Sequence, residues 1–129
     1  MKRITILLAA AALALAVSVP AVLASGGDGT RVVLNATSTF PAAKGSAKFK
    51  STAGERELQV EVEHIRHLAG KRVTFVVAGK KLGTARVNRF GTAEIERNSQ
   101  RGQLVPAVRA GTLVKVKTAA GVLIVRGSF

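Results

Sequence analysis

The two histidines, His64 and His67, are the residues best suited to metal chemistry, and they directly follow the carboxylate of Glu63. Imidazole and carboxylate groups are ligands of zinc and copper. On a continuous strand, residues three apart point to opposite faces, so a shared ion would require a tight turn at residues 65–66. A further ligand is also needed. The plainer interpretation is a pair of solvated loop histidines, so both are weak metal candidates and we expect no cofactor.

Candidate catalytic residues are scarce. The chain has no Cys, which excludes disulfides, thiol catalysis and thiolate metal sites. Asp28 is the sole Asp, and neither a Gly-x-Ser-x-Gly motif nor a Walker-type phosphate loop is present. Because no acid–base or nucleophile constellation is apparent, we expect a protein that is not an enzyme.

Paired carboxylates are the remaining catalytic alternative. The pairs lie two residues apart on predicted strands: Glu61 with Glu63, and Glu94 with Glu96. Such pairs can serve as general acid and base. The simpler interpretation is structural. We expect Lys48 and Lys50 to lie across from the first pair and Arg86 across from the second, as cross-strand ion pairs.

The charge of the chain points to anionic partners. The 129 residues contain 20 Lys and Arg against seven Asp and Glu, a formal net charge of +13. Residues 1–24 hold two of the basic residues and no acidic one, so the remainder carries +11. An excess of this size attracts polyanions. The candidate anion-binding residues are outward-facing cations of two predicted strands and of one long loop: Lys44, Lys48, Lys50, Arg101, Arg109, Lys115 and Lys117.

The shortage of aromatic residues limits how such a partner is bound. The chain has five Phe and no Trp or Tyr. Proteins that bind single-stranded nucleic acid usually stack bases on aromatic rings. We therefore expect electrostatic recognition of an anionic polysaccharide, an envelope surface or extracellular nucleic acid.

Residues 1–24 are typical of a Sec-type signal peptide. A basic start at Lys2 and Arg3 precedes an apolar run of residues 4–19, and Val22-Leu23-Ala24 fits a peptidase site. The alternative is a retained membrane anchor, but the run is shorter than the roughly 20 residues that span a bilayer. We expect cleavage after Ala24, a secreted or periplasmic protein, and no transmembrane segment in the mature chain. Residues 25–30 then form a flexible leader, and residues 31–129 a single domain.

The elements that position the cations are β-strands. Apolar residues alternate with polar ones in residues 56–64 and 71–78, the period of a strand with one buried face. Six further segments, mostly separated by Gly-containing turns, complete the set: 31–37, 45–52, 82–88, 91–97, 112–118 and 122–129. The pattern predicts an all-β fold, an antiparallel β-sandwich of immunoglobulin-like or Greek-key type with about seven or eight strands.

The five phenylalanines separate into core and loop residues. Phe49, Phe75 and Phe129 are expected to fill the interior. Phe40 and Phe90 lie in predicted loops, where the plainer interpretation is that each caps an open end of the sandwich.

A faint internal repeat links two hairpins. Residues 69–75 and 110–116 share an Ala-Gly-x-x-Val pattern, and each is followed by a Gly turn and a second strand. A duplicated hairpin is one explanation. The simpler one is that hairpins rich in Val, Ala and Gly look alike by composition.

Two stretches carry a resemblance to known proteins. They are the run from Gly102 through Val105-Pro106 to Val116 with its closing Gly127-Ser128-Phe129, and the segment from Leu58 to Glu63 before Gly70. Over the whole mature length the chain resembles a loose group of small exported bacterial β-sandwich proteins. It is more distantly similar to chordin-type domains, whose sandwich is like that of copper–zinc superoxide dismutase. Those domains carry His-x-His, whereas this chain has His64-x-x-His67. The resemblance implies the fold and export but no activity.

The favoured hypothesis is an exported, non-enzymatic module that binds an anionic polymer or surface through basic strand faces. One alternative is a structural or adhesive domain without a specific ligand, in which the charge serves solubility. The other is metal binding at His64 and His67. The sequence leaves the oligomeric state and the strand order open.

Overall fold

The structure, a computed structural model, describes residues 23–24 and 29–129. This part of the chain is all-β. It contains nine strands: β1 (Leu23–Ala24), β2 (Thr30–Ala36), β3 (Lys44–Thr52), β4 (Glu55–Glu63), β5 (Arg72–Val77), β6 (Lys80–Arg86), β7 (Ala93–Asn98), β8 (Leu113–Thr118) and β9 (Leu123–Ser128). Two short 3-10 turns lie at Arg66–Leu68 and Ser99–Arg101. The eight strands predicted from period-two alternation correspond to β2–β9, which confirms the all-β antiparallel prediction.

The strands form one nearly closed, barrel-like sheet and not clearly the two-sheet sandwich that was expected. The order is β6-β5-β8-β9-β2-β3-β4-β7, with every pair antiparallel. The two halves stay continuous because β2 belongs to both. Its residues Thr30–Leu34 pair with β3, and Asn35 and Ala36 pair with β9. Where β6 and β7 meet, the Arg97 guanidinium donates to the Leu82 carbonyl at 3.2 Å.

The N-terminal predictions fall largely outside the described residues. Of the predicted signal segment only Leu23–Ala24 is described, and it pairs with the start of β2. Strand β2 already begins at Thr30, the last residue of the predicted leader. Within residues 23–24 and 29–129, no helix is long and apolar enough to cross a membrane.

The interior is filled by the apolar face of each strand. Phe75 is fully buried, Phe129 is buried, and Phe49 is half-buried with its ring edge-on to that of Phe129 at 6.4 Å. Phe40 is also buried and stacks on a loop side chain, which agrees with a capping role. The capping prediction is wrong for Phe90, whose side chain is 64% exposed.

The two hairpins that look alike in sequence, β5–β6 and β8–β9, are neighbours in the sheet. Phe75 of β5 lies opposite Val116 of β8, the equivalent position of the second hairpin. Each hairpin has a β-bulge directly after this position. The extra residue, Leu82 or Ile124, is buried in the core. The two hairpins thus lie side by side with equivalent residues opposite each other, and together they supply the four neighbouring strands β6, β5, β8 and β9.

Candidate anion-binding surface

The sheet collects the acidic residues in one place, separate from about half of its cations. Every acidic residue of the described chain lies on β4 or β7, which are neighbours: Glu55, Glu57, Glu61 and Glu63 on β4, and Glu94 and Glu96 on β7. This separation follows from the strand order, because it places two strands from distant parts of the sequence side by side. We call this outward surface the acidic face.

The lysines of β3 border the acidic face. Lys50 approaches Glu57 to 3.9 Å between Nζ and Oε1, and Lys44 lies opposite Glu63. The predicted partners are therefore wrong in detail. Lys50 faces Glu57, and Lys48 faces Gln59, so neither lies across from Glu61 or Glu63. Both side chains of the Lys50–Glu57 pair are more than a third exposed, so the pair adds little stability. The nearby carboxylates also weaken the attraction that these lysines would exert on an anion.

The pairing expected for β7 is wrong. Arg86 lies opposite Arg72 of β5, since β6 is hydrogen-bonded to β5 and not to β7. Glu94 instead lies directly opposite Glu61, and the Gln59 amide donates to the Glu94 carboxylate. The glutamates of β7 therefore add to the negative charge of β4.

Glu61 is affected most by this crowding. Partial burial raises the pKa of Glu61 above its usual range, and the negative charges of Glu63 and Glu94 raise it further. The nearby cation of Arg31 acts in the opposite direction. Because the raised pKa belongs to the folded state, ionised Glu61 destabilises the fold. This destabilisation is absent below the usual carboxyl pKa and is complete once the pH exceeds the folded-state pKa.

Glu61→Gln is therefore expected to raise the melting temperature slightly at pH 7. The gain should vanish at a pH low enough to protonate Glu61 in both the folded and the unfolded chain. Thermal melts of both proteins at several pH values measure it. Glu57→Gln is the control, because it removes the partner of Lys50 and should give no gain. A melting-temperature change of the same size at every pH would contradict this account.

The outward surface of β6, β5, β8 and β9 has the opposite character. We call it the basic face, and its charged side chains are all cations: Arg72, Lys81, Arg86, Lys115, Lys117 and Arg126. Within the described chain, these four strands and the loops between them contain no Asp or Glu. The basic face therefore has no internal counter-charge.

Like charges lie directly opposite each other on the basic face. Arg72 pairs with Arg86 across β5 and β6, and Lys115 pairs with Arg126 across β8 and β9. Directly opposed like charges destabilise a sheet. A shallow depression of about 470 Å³ adjoins the second pair, with Asn35 and Ser128 at its wall. A bound anion would relieve this repulsion, which makes the basic face the strongest candidate site.

Comparisons with known proteins add no information about this candidate site. No protein-family model matches the chain, and a search of curated proteins finds no significant match.

The remaining predicted cations lie apart from the basic face. Arg101 is exposed in the second 3-10 turn, which contacts the start of β4 through the bond from the Arg56 N–H to Ser99 Oγ at 2.8 Å. Arg109 is exposed in the long loop and lines a small apolar slot of about 150 Å³ with Phe49 and Phe129. Of the seven predicted residues, only Lys115 and Lys117 therefore belong to the basic face.

The histidines face different neighbours. The chain does turn where a shared ion would require it, because His64 adopts a positive φ of 63° and the first 3-10 turn follows at Arg66. His64 Nε2 lies 3.9 Å from Glu63 Oε1, whereas the His67 ring stacks on Phe40 at 5.3 Å. Within residues 23–24 and 29–129, no group of three or more His, Asp or Glu side chains is arranged to hold a metal ion.

Sequence reasoning missed four residues of the basic face. Arg72, Lys81, Arg86 and Arg126 come from three strands, and none alternates with a second cation as the β3 lysines do. The available signal was the absence of acids from residues 64–92 and 99–129, which contrasts with their concentration between residues 55 and 63.

Proposed function

We propose that this protein is a non-enzymatic binding module that holds an anionic polymer or surface on its basic face. The observation that carries the proposal is the composition of the basic face. Among the described residues, its four strands present six cations and no carboxylate. Suitable partners are an anionic polysaccharide, an envelope surface or extracellular nucleic acid. They share closely spaced negative charges, which release bound counterions when the protein's cations replace them.

The basic face suits a repeating anion better than a small molecule. Its cations are spread over four strands and adjoin a shallow depression. The guanidinium of Arg86 is anchored by a 2.8 Å bond to the Gly70 carbonyl, and that of Arg72 reaches Thr84 Oγ1 at 3.4 Å. Each guanidinium keeps further N–H donors for phosphate, sulfate or carboxylate oxygens. No aromatic ring lies among the outward residues of these strands, so the contact is electrostatic and not one of base stacking.

Export belongs to the same proposal. The basic start, apolar run and Val22-Leu23-Ala24 ending support a cleaved Sec-type signal peptide and a secreted or periplasmic protein. The resemblance to small exported bacterial β-sandwich proteins also supports export. Cleavage after Ala24 would also remove β1, leaving β2 as the first strand.

Retention on a heparin column tests the proposal. The protein is expected to be retained at about 0.15 M salt, where charges within about 8 Å of each other still interact. It should elute as the salt rises, because counterion release makes binding strongly salt-dependent. If the protein passes through the column unretained at about 0.15 M salt, the proposal is wrong, and a structural or adhesive domain whose charge serves solubility is favoured.

A further inference from the structure

A compact loop unit at one end of the sheet exposes an aromatic side chain among cations, which binding of a polyanion does not require. We call it the loop tip, formed by residues 64–71 and 87–92. The Val87 N–H donates to the Lys71 carbonyl at 2.9 Å, which joins the two segments. Gly91 has a φ of +85° and packs so closely that a Cβ would lie 2.5 Å from a backbone nitrogen of the first segment. The loop tip is therefore one well-defined unit.

The loop tip holds Phe90 out in solvent. The side-chain oxygen of Asn88 accepts from the N–H groups of Phe90 and Thr92, at 2.9 and 3.0 Å. This turn fixes the backbone on both sides of the ring. The Phe90 side chain is 64% exposed, and the Arg89 guanidinium carbon lies 4.9 Å from its ring centroid. A large apolar side chain is thus presented to water beside a cation.

The surroundings of Phe90 are positively charged. Arg66, Lys71 and Arg89 are all exposed on the loop tip, and neither of its segments contains an Asp or Glu. In sequence it directly adjoins Arg72 and Arg86 of the basic face and one carboxylate, Glu63 of the acidic face. An exposed aromatic ring within a group of cations is therefore the defining feature of this end of the molecule.

We infer that the loop tip docks onto an anionic lipid bilayer. Phe90 enters the boundary between headgroups and acyl chains, while Arg66, Lys71 and Arg89 contact the lipid phosphates. Apolar burial and attraction to anionic lipids are the two contributions that hold peripheral proteins at a bilayer. A soluble polyanion would engage the cations but gain nothing from Phe90. This inference goes beyond the proposed function, because its decisive residue lies outside the basic face.

Fluorescence of Phe90→Trp tests where the loop tip goes. The chain has no other Trp or Tyr, so the introduced indole is the only strong emitter. Its emission should shift to the blue with mixed phosphatidylglycerol–phosphatidylcholine vesicles but not with pure phosphatidylcholine. Leu104→Trp is the control, because Leu104 is 57% exposed in the loop after β7, at the opposite end of the sheet. An equal shift of both probes, or a shift at Leu104→Trp alone, would overturn the inference.

Vesicle sedimentation of Phe90→Ser tests the apolar contribution. We expect about tenfold weaker binding to the mixed vesicles, because Ser cannot bury the apolar area that the Phe90 ring would place in the bilayer. Leu104→Ser should leave vesicle binding unchanged. Heparin retention should be unchanged in both variants, which separates this result from failure of the basic face. Unaltered vesicle binding by Phe90→Ser would refute docking through the loop tip, even if the heparin experiment succeeded.

Discussion

Replacing Phe75 with Ala is expected to lower the free energy of unfolding by about 3–5 kcal/mol. Phe75 is fully buried in the middle of β5. It lies opposite Val116 on one side and Gly83 on the other. The space beside Gly83 is occupied by the side chains of Ile95 and Arg97. Truncation of Phe75 therefore leaves a cavity in a packed interior, which the surrounding strands can close only by shifting. The loss is a large share of the roughly 5–15 kcal/mol that stabilises a domain.

Urea melts of the wild type and the variant measure this loss, and Thr74→Ala is the matched control. Thr74 is the preceding residue and belongs to the outward surface, so its truncation should cost less than about 0.5 kcal/mol. Phe75→Leu keeps most of the buried volume and should fall between the two, which gives a measurable protein if the Ala variant fails to fold. Equal losses for the Thr74 and Phe75 variants would contradict the assigned strand register.

The strands could be predicted because their signal is local. Alternation around Phe75 and Val60 is enough to assign β5 and β4 and the inward face of each. Pairing depends on contacts between distant residues, and no alternation pattern reports it. The mistaken neighbour of β7 shows the consequence. Adjacency in sequence favoured β6, whereas the sheet places β7 beside β4, so Glu94 meets Glu61 and not Arg86.

The candidate site was predictable only in part for the same reason. Lys115 and Lys117 alternate on one strand and can be recognised from the sequence. Arg72 and Arg126 are single outward cations that join them only when β5, β8 and β9 are neighbours. The exposure of Phe90 was equally hidden, because a loop phenylalanine is as compatible with capping the core, as Phe40 does, as with facing solvent.

Two triple variants with the same change in net charge are expected to differ strongly in polyanion affinity. The first replaces Lys115, Lys117 and Arg126 with Gln and alters the basic face. The second makes the same replacement at Lys44, Lys48 and Lys50, which border the acidic face. Each removes three positive charges, so any difference between them reports the position of the charges and not their number.

In the first variant, the affinity for DNA should depend less on salt, because the three replaced cations no longer neutralise phosphates. For duplex DNA, each neutralised phosphate contributes about 0.9 to the slope of log affinity against log salt, so the slope should become shallower by roughly 2–3. The second variant should change the slope by less than about 1, because Glu57 and Glu63 already offset two of its lysines.

Titrations with a short DNA duplex at several salt concentrations measure both slopes, and urea melts show whether each variant is folded. The basic-face variant should be no less stable than the wild type, since it removes the repulsion between Lys115 and Arg126. Loss of affinity without loss of stability therefore separates a binding surface from a structural one. Equal slopes for the two triple variants would show that only the overall charge matters. A larger change in the β3 variant would place the binding surface on β3 and not on the basic face.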